Sequence, residues 1–276
     1  MTVNLELNHV NERTGLRGFA NLHLKETRAW WGTRRWWINA LLWTVFLGGL
    51  TAIMIFAPND EVNQASESEI TQAGGLLSYI LSLGLSVFFE FGGPMLAIGT
   101  VILAQDLIIA EKQNGLAEWL LSKPVTRRAY ILAKVTANTP PLLSLLVVLP
   151  STMVYALLSC RIEAFYPLVS FLPAVGIITL HTLFYLTLCL MLGTLFNNRA
   201  PILGVALGSV LGGGLLGGFI EPLFYVTPWM LPKISWWVAT GQVLPTETVI
   251  TSLIATTLWI VLFVIVSLSR FEKMEF

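Results

Sequence analysis

One carboxylate stands alone inside a long apolar stretch. Glu90 lies in LSVFFEFGGPMLAIG, and no other charged side chain occurs between Leu76 and Gln105. A carboxylate near the middle of a lipid-embedded helix costs roughly 2.5 to 3.5 kcal/mol on insertion scales for comparable charges, so it requires a partner, a proton or water. Two kinds of chemistry follow. Glu90 either faces a cavity, where it touches a solute or takes part in a gating network, or it is a protonated carboxyl hydrogen-bonded inside the protein.

A second concentration of chemistry is polar, in AQDLIIAEKQNGLAEWLLSKPVTRRAYILAK. It holds Asp106, Glu111 and Glu118 among Lys112, Lys123, Arg127, Arg128 and Lys134. Gly115 and Pro124 bracket a short turn in which Leu116, Trp119 and Leu120 are spaced to share one apolar face. Such a face needs cover, from this chain, from lipid headgroups or from another protein. Nothing here is catalytic: no Ser, His and Asp set and no paired carboxylates can be picked out. His23 and His181 lack a partner at metal-binding spacing, so packing is expected for both and no metal is predicted. Cys160 and Cys189 are expected to be free thiols. No GxxxxGK[ST] phosphate loop occurs, so the chain is not expected to be an enzyme or to bind ATP itself.

The elements that carry these residues belong in a bilayer. The chain has 276 residues, 55% hydrophobic and 12% charged, with mean hydropathy +0.73, and its apolar residues come in runs of about 20, the length that crosses roughly 30 Å of hydrocarbon. The runs are continuous rather than alternating, which predicts an all-α polytopic membrane protein and not a barrel. Six transmembrane helices are expected, at 36–57, 76–109, 130–158, 168–196, 202–220 and 251–269.

Every one of the 16 basic residues except Arg161 and Lys233 falls before the first run, between the second and third, after the fourth or after the sixth. By the positive-inside rule both termini are cytoplasmic, as an even helix count requires. Residues 16–35 put Arg17, Asn21, Lys25, Arg28 and Arg35 on one helical stripe and Leu16, Phe19, His23 and Trp30 on the other. That pattern predicts an interfacial helix at the cytoplasmic headgroups, with Glu26 as a flaw on its apolar face. No cleaved signal peptide is expected. The second run is longer than a bilayer needs, and Gly92, Gly93 and Pro94 mark a break in it; Pro140, Pro141 and Pro150 make a straight third helix unlikely in the same way. Residues 221–250 form an outer aromatic loop expected to dip into the interface as short helices, with re-entry into the membrane as the alternative to six plain spans. In the fifth run Gly204, Gly208 and Gly212 recur every four residues, a face along which another helix, of this chain or a second copy, can approach closely.

The polar loop resembles that of ABC-2 type permeases, the membrane subunits of a class of ATP-driven transporter. Glu111, Gly115, Glu118, Leu120, Leu121, Ser122, Pro124 and Arg127 occupy the family's acidic, Gly, acidic, Leu-Leu, Ser, Pro and Arg places, with Lys134 opening the next helix. Where the family often has Thr-Leu after the glycine, Leu116 and Ala117 stand here. The resemblance implies that 111–128 is a coupling loop, with Leu116 through Ser122, Trp119 included, docking on a separate cytoplasmic ABC ATPase that binds ATP and Mg. It implies a dimer with the fifth helix near its centre and a path walled by helices two and five, to which Glu90, Phe89 and Pro94 belong. Location in the plasma (inner) membrane and export are the corresponding expectations; lipid is a partner and nucleic acid is not, because the basic segments hug the bilayer. Two alternatives from other classes are an ion-coupled secondary transporter using Glu90 and a membrane assembly factor that moves nothing.

Overall fold

In the computed structural model, residues 16–57, 60–216, 221–242 and 245–273 are described, and among them every regular element is helical. Helix α1 (Phe19–Trp31) precedes α2 (Arg35–Phe56), and two short outer helices, α3 (Asp60–Gln64) and α4 (Glu67–Gln72), lead to α5 (Leu76–Ser86). The second rod continues through α6 (Gly92–Ala104) and α7 (Asp106–Gln113) to the short α8 (Leu116–Leu121). The third is α9 (Arg127–Leu143) with α10 (Leu149–Ile162), followed by α11 (Leu168–Leu195) and α12 (Arg199–Leu216). Next come α13 (Glu221–Val226), α14 (Leu231–Thr240) and α15 (Thr246–Glu272).

Among the described residues, five helices are long and apolar enough to cross a membrane: Trp36–Phe56, Leu76–Gln113, Arg127–Ile162, Leu168–Leu195 and Thr246–Glu272. The expected fifth span, 202–220, corresponds to α12, whose apolar stretch Arg199–Gly213 is shorter; its expected end at 217–220 lies outside the described residues. Helix α11 forms the axis, packed by α15, α14, α6, α12, α7 and α9, while α2 lies outside against α10 and α5.

The expected break at Gly92–Pro94 is not a break. The rod runs through Pro94, and a π turn at Val87–Phe91 sits immediately before it. Proline at 94 has no N–H for the carbonyl four residues back, and its ring crowds that carbonyl; widening the preceding turn relieves the clash without interrupting the helix. The third rod repeats the device, with a π turn at Ser144–Val148 just past Pro140 and Pro141 and with Pro150 in the first turn of α10.

The segment expected as an outer aromatic loop is folded into the bundle. Helix α14 packs on α11, on the π turn at Val87–Phe91 and on α5. Trp236 Nε1 donates to the Ser82 carbonyl at 3.0 Å, and the Tyr166 hydroxyl donates to the Ala239 carbonyl at 2.8 Å. A Cβ at Gly93 would lie 2.7 Å from the Pro232 ring, so only glycine lets α6 and α14 approach this closely.

Candidate functional site

The second rod is 38 residues long, about 57 Å at 1.5 Å per residue, against roughly 30 Å of hydrocarbon. Its surplus must project beyond the apolar layer, and the polar residues at its C-terminal end show which part projects. Beyond Gln113, Gly115 takes φ +65°, which reverses the chain into α8. Nothing lies within 4 Å of a Cβ built at Gly115, so the demand on that position is conformational alone.

Ala117 is fully buried and Leu120 packs on the core, while Trp119 is 58% exposed and Glu118, Ser122, Lys123 and Pro124 face outward. This corrects the expected Leu116, Trp119 and Leu120 face. At 100° per residue the direction midway between Ala117 and Leu120 is about 130° from Trp119, so burying that pair turns the indole out. The Lys123 ammonium sits 5.0 Å from the Trp119 ring centroid, and Ser122 Oγ donates to the Trp119 carbonyl at 2.8 Å. Leu116 is half-buried; the side chain of Leu121 lies outside the described residues.

The base on which α8 rests is a buried ion cluster. Glu111, 9% exposed, accepts from Lys25 and the Tyr130 hydroxyl, the latter at 2.6 Å, and pairs with Lys134 at 2.9 Å. Glu26, 6% exposed, pairs with Lys134 at 2.9 Å and Lys25 at 3.2 Å. Two carboxylates and two ammonium groups thus join α1, α7 and α9, and the expected flaw at Glu26 is one of its centres. Burial pulls the Lys25 ammonium toward deprotonation, but the hydrogen bond and charge of Glu111, with those of Glu26, outweigh it and hold its pKa above the ordinary lysine value. Tyr130 stacks flat on Phe271 of α15 at 4.7 Å, and Trp30 Nε1 donates to Asn138 Oδ1 at 2.6 Å.

Further ties spread from the same few residues. The Lys112 ammonium caps α11 by donating to the carbonyls of Gly193 at 3.2 Å and Phe196 at 2.9 Å. Asp106 pairs with Arg199 of α12 at 2.6 Å. Arg127 donates to the Glu272 carbonyl at 2.5 Å and Arg128 pairs with the Glu272 carboxylate, while the Thr126 N–H donates to the Arg17 carbonyl at 3.1 Å. Glu111, expected at a docking surface, is instead buried in the ion cluster, while Arg127 is partly exposed and tied to the Glu272 carbonyl at the end of α15.

About 21 Å along the rod from Leu76, Glu90 sits in the π turn and opens onto a cavity of about 200 Å³. Pro94, His181, Tyr185, Val210, Gly213, Phe224, Trp229, Pro232 and Lys233 share its lining. Phe89 does not: it is fully buried against Phe88 and Phe171, on the core side of the helix, which corrects its expected place on a path. His181, expected in packing, is 2% exposed and sits edge-on to Tyr185 with the ring centroids 5.1 Å apart, yet it borders the cavity. Sequence reasoning missed Lys233 as the cation facing Glu90. The signal was there, since Lys233 is one of only two basic residues off the basic side.

Along α12, Ile202, Ala206 and Val210 are buried, whereas Gly204 and Gly208 have nothing within 4 Å of a built Cβ, and Val205 and Leu211 are 49% and 65% exposed. Gly213 is different, with the Trp229 ring 2.5 Å from a built Cβ. Among the described residues, the glycine face at 204 and 208 is thus not packed against any other element. Among the described residues no group of His, Cys, Asp and Glu could hold a metal, and Cys160 and Cys189 are unpaired.

A reversed amphipathic helix on the projecting end of a membrane rod, with polar ties to the neighbouring helices, is what the loop resemblance implies. The family model described as ABC-2 family transporter protein matches residues 20–276. The chain belongs to that family. It is accordingly a multi-pass membrane permease of the ABC transporter kind, a transport component that is not generally catalytic itself, in a family that typically works with an ABC ATPase. No curated protein matches the chain.

Proposed function

We propose that this permease is the membrane half of an ATP-driven exporter, operating as two copies in the plasma membrane with a separate cytoplasmic ABC ATPase docked on α8. The observation that carries the reading is Trp119, a large apolar side chain more than half exposed on a helix whose other face is anchored. An exposed aromatic on a rigid platform is a typical anchor for a partner protein. ATP and Mg belong to that partner, because this chain has no phosphate loop.

A push on α8 has stiff routes upward. Helix α7 continues α6, so displacement at Gly115 reaches the π turn at Glu90, while Lys112 and Asp106 carry it to α11 and α12. Six spans with α12 as the fifth, both termini inside and α1 at the cytoplasmic headgroups agree with the placement of basic residues. The open face at Gly204 and Gly208 supports a second copy at α12, and helices two and five then wall the path beside Glu90 and Pro94. Export rests on the family resemblance.

The test is purification of the chain from its native membrane with ATPase activity measured for wild type, Trp119→Ala, and Trp119→Ala with Leu120→Ala. A stoichiometric ATPase that is lost or uncoupled in the variants is expected. An ATPase absent from the wild-type preparation would overturn the reading.

A further inference from the structure

The cavity at Glu90 holds two opposite charges that do not pair. Glu90 and Lys233 both line it, yet among the described residues no ion pair or hydrogen bond joins them. Lys233 instead leans on the Trp237 ring, 5.0 Å from its centroid. Glu90 is half-buried and Lys233 is exposed at the rim, so the carboxylate inside the cavity carries the larger unmet electrostatic demand and the ammonium stands free at its edge. Between them the walls are aromatic, from Tyr185, Phe224 and Trp229, and His181 Nδ1 is buried there without a hydrogen-bond partner.

We propose that this cavity binds a zwitterion, an amine joined to a phosphate or carboxylate, with the amine on Glu90 and the anionic group on Lys233. An anion alone would leave the half-buried Glu90 unmet, and a cation alone would forgo the contact that Lys233 offers at the rim. The site as a whole is neutral, so it favours a ligand that is neutral overall but dipolar. Aromatic faces suit the amine end through cation–π contact, and His181 Nδ1 can accept one of its protons. The placement of Lys233 on α14, against the π turn that carries Glu90, is why the two charges face one space. The inference rests on the permease reading for its meaning as a substrate site, but its chemistry does not.

The test measures binding to the purified full chain in maltoside micelles by calorimetry, with no ATPase required. The probes are dihexanoylphosphatidylethanolamine, the anionic dihexanoylphosphatidylglycerol and the cation hexylamine. Wild type is expected to prefer the zwitterion about tenfold over each of the other two, since each forfeits one charge-assisted contact. Glu90→Gln should erase the preference over the anion, and Lys233→Gln the preference over the cation; a misfolded variant cannot shift selectivity in two opposite directions. Glycerophosphoethanolamine, which lacks acyl chains, separates the sources of the chemistry: equal binding marks a soluble zwitterion, and binding about tenfold weaker marks a lipid. Equal affinity of wild type for all three charged probes, or uniform loss of all three in both variants, would overturn the proposal. Such a result would leave the permease reading standing if the ATPase co-purifies, whereas a missing ATPase would remove that reading without touching the binding data.

Discussion

Replacing Lys134 by Met should be the most destabilising single change in the cytoplasmic base. Lys134 is 3% exposed and bridges Glu26 and Glu111, each at 2.9 Å. Each pair attracts by about 4 kcal/mol at an effective dielectric near 20 and a charge separation near 4 Å, so two pairs offer about 8 kcal/mol gross. Against this stands the several kcal/mol spent desolvating the ammonium, which leaves a net loss of about 3 to 5 kcal/mol when the cation is removed and one carboxylate is left uncompensated. Unfolding in mixed micelles, followed by helical circular dichroism against added SDS, reads this directly. A second variant supplies the decisive comparison: Lys134→Met with Glu26→Gln restores neutrality and should recover at least half of the loss. Arg128→Gln, which breaks an ion pair whose side chains are 65% and 38% exposed, should leave the unfolding midpoint close to that of wild type. A single variant within about 1 kcal/mol of wild type, or a double variant no better than the single, would refute the buried-cluster argument.

Trp119→Ala should leave stability within about 0.5 kcal/mol, as expected for an exposed side chain, while abolishing partner ATPase stimulation; thermal unfolding and phosphate release check the two halves. Gly208→Leu, facing open space, should leave monomer stability nearly unchanged but reduce self-association measured by light scattering. Gly93→Val forces a Cβ to within 2.7 Å of the Pro232 ring and should cost about 1 to 3 kcal/mol in the same SDS titration. The raised Lys25 pKa sets a pH dependence: its contribution is complete below the ordinary lysine value of about 10.5 and is lost as pH rises through the higher folded value. Wild type should therefore weaken between roughly pH 10 and 12 more than Lys25→Met does, as read by melting temperature across that range.

The fold was legible where lipid decides it. Long apolar runs marked five spans and the start of α12, because continuous hydrophobicity has few alternative structures. Proline marked the places where the rods adjust but not how: Pro94 announces an obstructed carbonyl, and whether the helix breaks or widens depends on the neighbours that clamp it, here α14 and α11. The loop's existence was legible from Gly115 and Pro124, its orientation was not. The outward turn of Trp119 follows from Ala117 being buried, and an alanine carries almost no signal of which surface it will meet. Glu26 looked like a defect because its buried partner, Lys134, meets it only once α1 lies on α9. Lys233 and Glu90 are 143 positions apart, so only the folding of α14 into the bundle brings them to one cavity.

The stack of Phe271 on Tyr130 and the bonds of Arg127 and Arg128 to Glu272 also set a schedule for biogenesis. The residues they join are up to 145 positions apart, so at about 5 to 20 residues per second the ribosome takes roughly 7 to 30 s to supply the second half of each contact. For that interval α8 is already made but its base lacks those contacts to α15. A partner that requires the finished platform would therefore meet it only after α15 has joined the bundle.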